Sequence, residues 1–217
     1  MLTKYDERIL DLYAVNILEL INMSKQVNLS EYIHPKMDIL FLALNAPDVS
    51  NGNGHWFTYN LSFWNLLYDA GIITEKISNK LVGDEKVFGA TVINYNKMAI
   101  GVTDLDRVHV ETNSKNVVTT KEQVDRILDI LDHTNTQRLC LMHSDVAKEF
   151  AKQNIIKRGN SYGKIGQYNN TEIFNVPFHN ASVRNKERYY KTLLTETVNA
   201  QEQKEVRRTQ KIPAMQK

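Results

Sequence analysis

A three-layer α/β/α sandwich on a central parallel sheet is the fold class this sequence predicts, and two observations carry that expectation. Short, almost wholly apolar runs recur along the chain at Asp38–Leu44, Met98–Thr103, Gln137–Met142 and Thr171–Val176. Runs of that length without polar alternation suit strands buried on both faces. Between them lie segments with apolar residues at helical spacing, and strands alternating with crossover helices give a parallel sheet with helices on both sides.

Each element has its own signal. Leu10, Tyr13, Ile17 and Leu20 give an amphipathic helix over 5–23, followed by a polar connector to Pro35. Asp38–Leu44 is bounded by Pro35 and Pro47 and is the strand expected at the centre. A helix over Leu61–Ala70 closes on Gly71, a residue suited to the left-handed angle after a helix. Thr120-Lys-Glu-Gln123 has capping-box spacing ahead of Val124, Ile127, Leu128 and Leu131. Ser144 is the expected cap of a helix to Gln153, and a last helix is expected from Asn185 to Val198. The divisions are an N-terminal helical extension over 1–36, one domain over 37–200, and a basic, flexible tail over 201–217, where Lys204, Arg207, Arg208, Lys211 and Lys217 outweigh Glu202 and Glu205.

Composition narrows the function classes. The 217 residues suit one domain, and a net charge of +2 neither announces nor excludes a polyanion partner. Cys140 is the only cysteine, so there is no internal disulfide and no cysteine-based zinc site; within Arg138-Leu-Cys-Leu-Met142 it reads as a buried small hydrophobe. Nothing resembles a signal peptide and no apolar run reaches membrane-spanning length, so a cytoplasmic location is expected. The histidines lack metal-ligand spacing, and no phosphate-binding glycine motif is present. His143-Ser144-Asp145 has the composition of a catalytic triad, but three consecutive residues cannot adopt its geometry.

Two loops concentrate chemistry. The first, Leu44-Asn-Ala-Pro-Asp-Val-Ser-Asn-Gly-Asn-Gly-His-Trp-Phe57, follows the central strand. Ligands in open parallel sheets bind at the carboxyl ends of the strands. Asn45 ends that strand, Gly52 and Gly54 permit close main-chain approach, and Trp56-Phe57 supply ring faces. The same composition suits a long loop with a buried aromatic anchor. The second, Val176-Pro-Phe-His-Asn-Ala-Ser-Val-Arg184, brings an imidazole, an amide, a hydroxyl and a cation together, with Lys186 and Arg188 beyond. It suits phosphate contacts, or equally a capped turn with a solvated basic face.

These motifs, in their order, resemble the uracil-DNA glycosylase superfamily, closest to its mismatch-specific uracil/thymine branch. The resemblance rests on Asp38-Ile-Leu-Phe-Leu-Ala-Leu-Asn-Ala-Pro47, Gly54-His-Trp-Phe57, Phe63-Trp-Asn-Leu-Leu-Tyr-Asp-Ala-Gly71, Ile100-Gly-Val-Thr-Asp-Leu105, Tyr162-Gly-Lys164 and the loop ending at Arg184, over residues 37–200. The chain departs from the branch's pattern in reading Asn45-Ala46-Pro47 for Asn-Pro-Gly, Leu61-Ser62 for Asn-Arg, and Phe-His-Asn-Ala-Ser in the final motif.

The resemblance implies a uracil-DNA glycosylase-like fold and a monofunctional enzyme that flips a base out of DNA and hydrolyses its glycosidic bond. Asn45 matches the asparagine that positions the attacking water, and Phe57 the aromatic that stacks on the base. Main chain from Ala46 through Pro47 and Asp48 would meet a base carbonyl, as would His179 with Asn180 beside it. Ser182, Arg184 and Lys186 would fill the gap in the stack and contact phosphates. No metal and no cofactor is implied. The expected partner is double-stranded DNA carrying uracil or a mismatch, with no membrane partner and a monomeric state. The alternative is a non-catalytic nucleic-acid-binding protein that keeps this fold with an altered site.

Overall fold

A computed structural model of the chain describes residues 26–157 and 161–210, with 204–210 as backbone only. The helix expected over 5–23 lies outside the described residues. The apolar run Asp38–Leu44 forms a buried strand as predicted, although it stands second from one edge of the five-stranded sheet rather than at its centre. Strand β2 (Ile39–Ala46), preceded by the two-residue β1 (Lys36–Met37), has Ile39, Leu40, Phe41 and Leu42 at 0% exposure. Burial of each such side chain contributes about 1.5–3 kcal/mol.

The elements that follow are α1 (Asp48–Asn53), α2 (Ser62–Asp69), β3 (Ile100–Val110), α3 (Lys121–His133), the two-residue β4 (Asn135–Thr136), β5 (Arg138–Leu141), α4 (Ser144–Lys152), β6 (Gly163–Tyr168), β7 (Thr171–Asn175) and α5 (Glu187–Gln210). The main sheet has the order β3-β2-β5-β7-β6. Its first four strands pair in parallel, β6 joins antiparallel at the edge, and β1 and β4 form a small parallel pair of their own.

Alternation along β2 sends side chains to two cores. Ile39, Phe41 and Ala43 pack with Phe63 and Trp64 of α2 and Tyr190 and Leu193 of α5. Leu40, Leu42 and Leu44 pack with Val124, Ile127 and Leu131 of α3 and Val146 and Phe150 of α4. The protein is therefore α/β, with a mostly parallel central sheet flanked by helices on both faces. No helix among the described residues is long and apolar enough to cross a membrane.

Local signals in the sequence account for most boundaries. The capping box forms as its spacing predicts: the Gln123 amide donates to Thr120 Oγ1, and the Thr120 amide donates to Gln123 Oε1. Gly71 takes φ +78° after α2. The cap of α4 is His143 rather than Ser144, because its Nδ1 accepts from the Asp145 amide. Helix α5 runs to Gln210, past the end expected at Val198, so residues 201–210 of the predicted flexible tail are helical backbone. Residues 26–35, read as a connector, are fastened to the domain. Leu29 is buried, Trp56 Nε1 donates to the Ser30 carbonyl at 2.7 Å, and Tyr32 bridges to Val102.

Strand order also locates a crevice. The chain passes from β2 to β3 on one side, then crosses back to β5 on the other side of β2. This reversal makes the carboxyl ends of β2 and β5 the topological switch point, where neighbouring crossovers diverge and leave room for a ligand.

Candidate functional site

A cavity of about 470 Å³ opens at that switch point, with Asn45 from the end of β2 and His143 just after β5 in its wall. The loop after β2 closes it on one side and the loop after β7 on the other. Phe57, His179 and Asn180 all line it, and so does Pro47. Five of the residues singled out in sequence thus converge on one space.

Asn45 stands at an irregularity in the pairing of β2 with β3. Its Nδ2 donates to the Glu111 carbonyl at 2.7 Å and to the Ala46 carbonyl at 3.3 Å. Both amide protons are thereby engaged, which fixes the side chain and leaves Oδ1 as an oriented acceptor.

The loop from 47 to 60 is built by its own polar side chains. Gly-Asn-rich sequence reads as turn, yet Asp48–Asn53 is a short helix ended by Gly54 at φ +70°. Buried Asn51 holds it, accepting from the Asn28 amide and donating to the Gln26 carbonyl. Asp84, only 1% exposed, accepts from the Trp56 amide at 3.0 Å and pairs with His55 Nδ1 at 3.2 Å. The Thr58 amide donates to Ser50 Oγ. Phe57, between these clamps, has φ +56°, a conformation costing a bulky residue about 1–3 kcal/mol. Its ring is stacked on Phe63 at a centroid distance of 3.8 Å, which supports it from behind, while the His179 ring meets it edge-on at 5.9 Å.

His179 is in the cavity wall, and its Nδ1 is buried without a hydrogen-bond partner among the described residues. Burial, aided by the nearby Lys186 charge, pushes its pKa down to about 4, so the imidazole is neutral near pH 7. Its neutral form carries one N–H donor and one acceptor.

Other expected site residues fall outside the cavity. Ala46 is fully buried in the core, and its carbonyl accepts from the Glu111 amide. Asp48 is turned to Thr112: its amide donates to Thr112 Oγ1 at 3.1 Å and its carboxylate accepts from the same hydroxyl at 2.6 Å. The Asp48 amide is therefore already engaged, and with Pro47 lacking an N–H the main chain here offers fewer donors than the sequence suggested. Ser182 and Arg184 are exposed on the loop after β7. Lys186 is half-buried and braces that loop, donating to the carbonyls of His179 at 2.6 Å and Ala181 at 2.8 Å. Those bonds make it a structural cation rather than a free phosphate contact.

The cavity also contains residues the sequence reading passed over. Asp104 of β3, at 0% exposure, lines it. One carboxyl oxygen, Oδ2, faces Arg107 Nη1 at 3.5 Å, whereas Oδ1 is buried with no hydrogen-bond partner among the described residues. Burial raises its pKa to about 7, opposed by the Arg107 charge and reinforced by Glu31. Asp104 directly follows the apolar run Met98–Thr103, and its full burial had no sequence signal, since charged residues are seldom fully buried. His143, dismissed with the false triad, borders the same space because it ends the strand across the switch point; burial lowers its pKa. The Glu111 backbone that holds Asn45 had no sequence signal.

A second cavity of about 790 Å³ adjoins the first and shares His143, Phe178 and Asn180. Lys148 and Lys152 in its wall are paired with Asp145 and Glu149. Of the two cavities, only the smaller is lined by residues with a buried side-chain atom lacking a partner among the described residues, Asp104 and His179. Among the described residues, no group of three or more His, Cys, Asp or Glu side chains is arranged to hold a metal ion. No protein-family model matches the chain, and no curated protein matches it at a significant level.

Proposed function

We propose that this protein is a monofunctional DNA glycosylase with a uracil-DNA glycosylase-like fold, hydrolysing the N-glycosidic bond of uracil or a related deaminated or mismatched base in base excision repair. The observation that carries the reading is the convergence of Asn45, Phe57 and His179, from three separate stretches of chain, on one cavity at the switch point.

Each residue has a role suited to its surroundings. The base leaves the duplex to enter the cavity, because its glycosidic bond is out of reach within the stack. Phe57 stacks on it with the ring face opposite Phe63. Asn45 Oδ1, oriented by the two carbonyls that hold Nδ2, accepts from a water and aims it at C1′. An amide is too weak a base to take the proton early, so its contribution is positioning. Neutral His179 donates to a base carbonyl as negative charge collects there. Ser182 and Arg184, on the exposed loop, enter the gap left in the stack and contact phosphate, and double-stranded DNA is the partner of a monomer.

Release of free base from labelled duplexes carrying U·G, U·A, T·G and hypoxanthine·T, and from single-stranded uracil DNA, tests this reading and ranks the substrates. Release from at least one supports it. Binding to all without release from any would favour the alternative, a nucleic-acid-binding protein with an altered site.

A further inference from the structure

Asp104 occupies a place in the cavity that the reading above does not use. In the pairing of β2 with β3, Asp104 is opposite Ala43 while Asn45 is opposite Asp106. Strands advance about 3.3 Å per residue, so Asp104 lies roughly 6.6 Å deeper along the sheet than Asn45. Asn45 is therefore nearer the mouth, where the sugar and the attacking water belong, and Asp104 is nearer the floor, where the far edge of an inserted base arrives. Its Oδ1 has no hydrogen-bond partner among the described residues, and leaving such a group unsatisfied costs about 1–3 kcal/mol unless a ligand or water completes it.

We propose that the Asp104 carboxyl donates a hydrogen bond from Oδ1 to a carbonyl oxygen of the departing base. This rests on the glycosylase reading. In the step, water forms a bond to C1′, the C1′–N bond breaks, and the bonding pair leaves on the base, delocalised onto its carbonyl oxygen; the proton that the water loses passes to solvent, from which the released base anion is protonated. The Asp104 proton stays on Asp104 and stabilises that charge through the hydrogen bond. A buried carboxylate would instead repel the departing anion. The charges around the group favour this arrangement. Arg107 on β3 faces Oδ2, which directs the proton to Oδ1, while Arg126 of α3 donates to the Asp104 carbonyl at 2.5 Å and pairs with Glu31 at 3.0 Å. Glu111, His143 and His179 also line the cavity. With its pKa near 7, the carboxyl keeps its proton in the acidic range and is about half protonated at pH 7.

The test is single-turnover release of uracil between pH 5.5 and 9 by the parent, Asp104→Asn and Asp104→Ala, with thermal unfolding of each protein alongside. The expected parent rate is level below about pH 7 and falls above it as the donor is lost. Asparagine offers an N–H at every pH, so Asp104→Asn should stay within about tenfold of the parent's low-pH rate and lose the fall. Asp104→Ala should be slower by roughly 10²–10³-fold, the usual loss for one such donor. A parent rate that is flat or rises across pH 7, or a fall that persists in Asp104→Asn, overturns the proposal while the glycosylase reading stands. Should the variants not fold, the parent profile alone decides. No release by the parent under any condition removes both.

Discussion

Asp104 and Asp106 stand two residues apart on one face of β3, both at 0% exposure, yet their surroundings differ in kind. Asp106 is fully employed. Its Oδ1 accepts from the Val108 and His109 amides at 2.9 and 3.2 Å, and its Oδ2 meets His109 Nδ1 at 2.8 Å. That carboxylate shapes the end of β3. The Asp104 carboxyl, in the cavity wall, has one long contact to Arg107, and its Oδ1 has no hydrogen-bond partner among the described residues. The difference teaches how to tell a buried carboxylate that builds the fold from one that is left for a ligand: count the partners of each oxygen rather than the depth of burial.

Stability against pH should separate the two most strongly. A carboxyl whose folded pKa is raised binds its proton more tightly folded than unfolded, so Asp104 costs stability progressively as pH rises from about 4 to about 7. Above pH 7 the full cost applies, at most about 4 kcal/mol, since each pKa unit is worth about 1.4 kcal/mol. Asp104→Asn should therefore be more stable than the parent at pH 8 and nearly equal to it at pH 4, as read from denaturant midpoints. Asp106→Asn should lose about 1–3 kcal/mol at pH 8, because an amide cannot accept at both positions. Equal effects of the two substitutions would break the comparison.

His179 sharpens it from the other direction. A histidine with a depressed folded pKa is protonated first in the unfolded chain, so its stability contribution is complete above about pH 6.5 and is lost as pH falls toward 4. His179→Gln should flatten the acid side of the stability profile by up to about 3 kcal/mol. An unchanged acid profile would mean that the imidazole is solvated.

The smallest expected effects distinguish two cations on the loop after β7. Lys186→Ala should cost about 1 kcal/mol of stability by releasing the His179 and Ala181 carbonyls. Exposed Arg184→Ala should leave stability within about 0.5 kcal/mol and instead reduce the salt slope of DNA binding by about one. Salt titration of binding by fluorescence anisotropy, with melts of the same proteins, reads both.

Much of the fold could be read from residues because its cues are local. The proline-bounded run became β2, Thr120 and Gln123 formed their reciprocal cap, and Gly71 took its left-handed angle. Elements held by distant partners could not be read. Strand β3 carries Asp104, Asp106 and Arg107, and while Asp106 is met locally by Val108 and His109, Leu29, Glu31 and Arg126 arrive from elsewhere to meet Asp104 and Arg107. Helix α1 has the composition of a turn, and it depends on Asn51 reaching residues 26 and 28. Edge strand β6 is mostly polar, with no apolar run to mark it. The same division runs through the site. Asn45 at a strand end and Phe57 and His179 in the loops belong to stretches rich in recognisable residue types, whereas Asp104 acquires its meaning only from what the fold withholds from it.

The central claim, that the cavity beneath Asn45 is where a base is cut from DNA, is tested most directly by single-turnover release of uracil from a U·G duplex by the parent and Asn45→Ala, with duplex affinity measured on the same samples. The account predicts release by the parent, a loss of at least about 10²-fold in the variant, in which the attacking water is no longer positioned, and little change in affinity. Equal release by both proteins, or none by the parent despite tight binding, would contradict it.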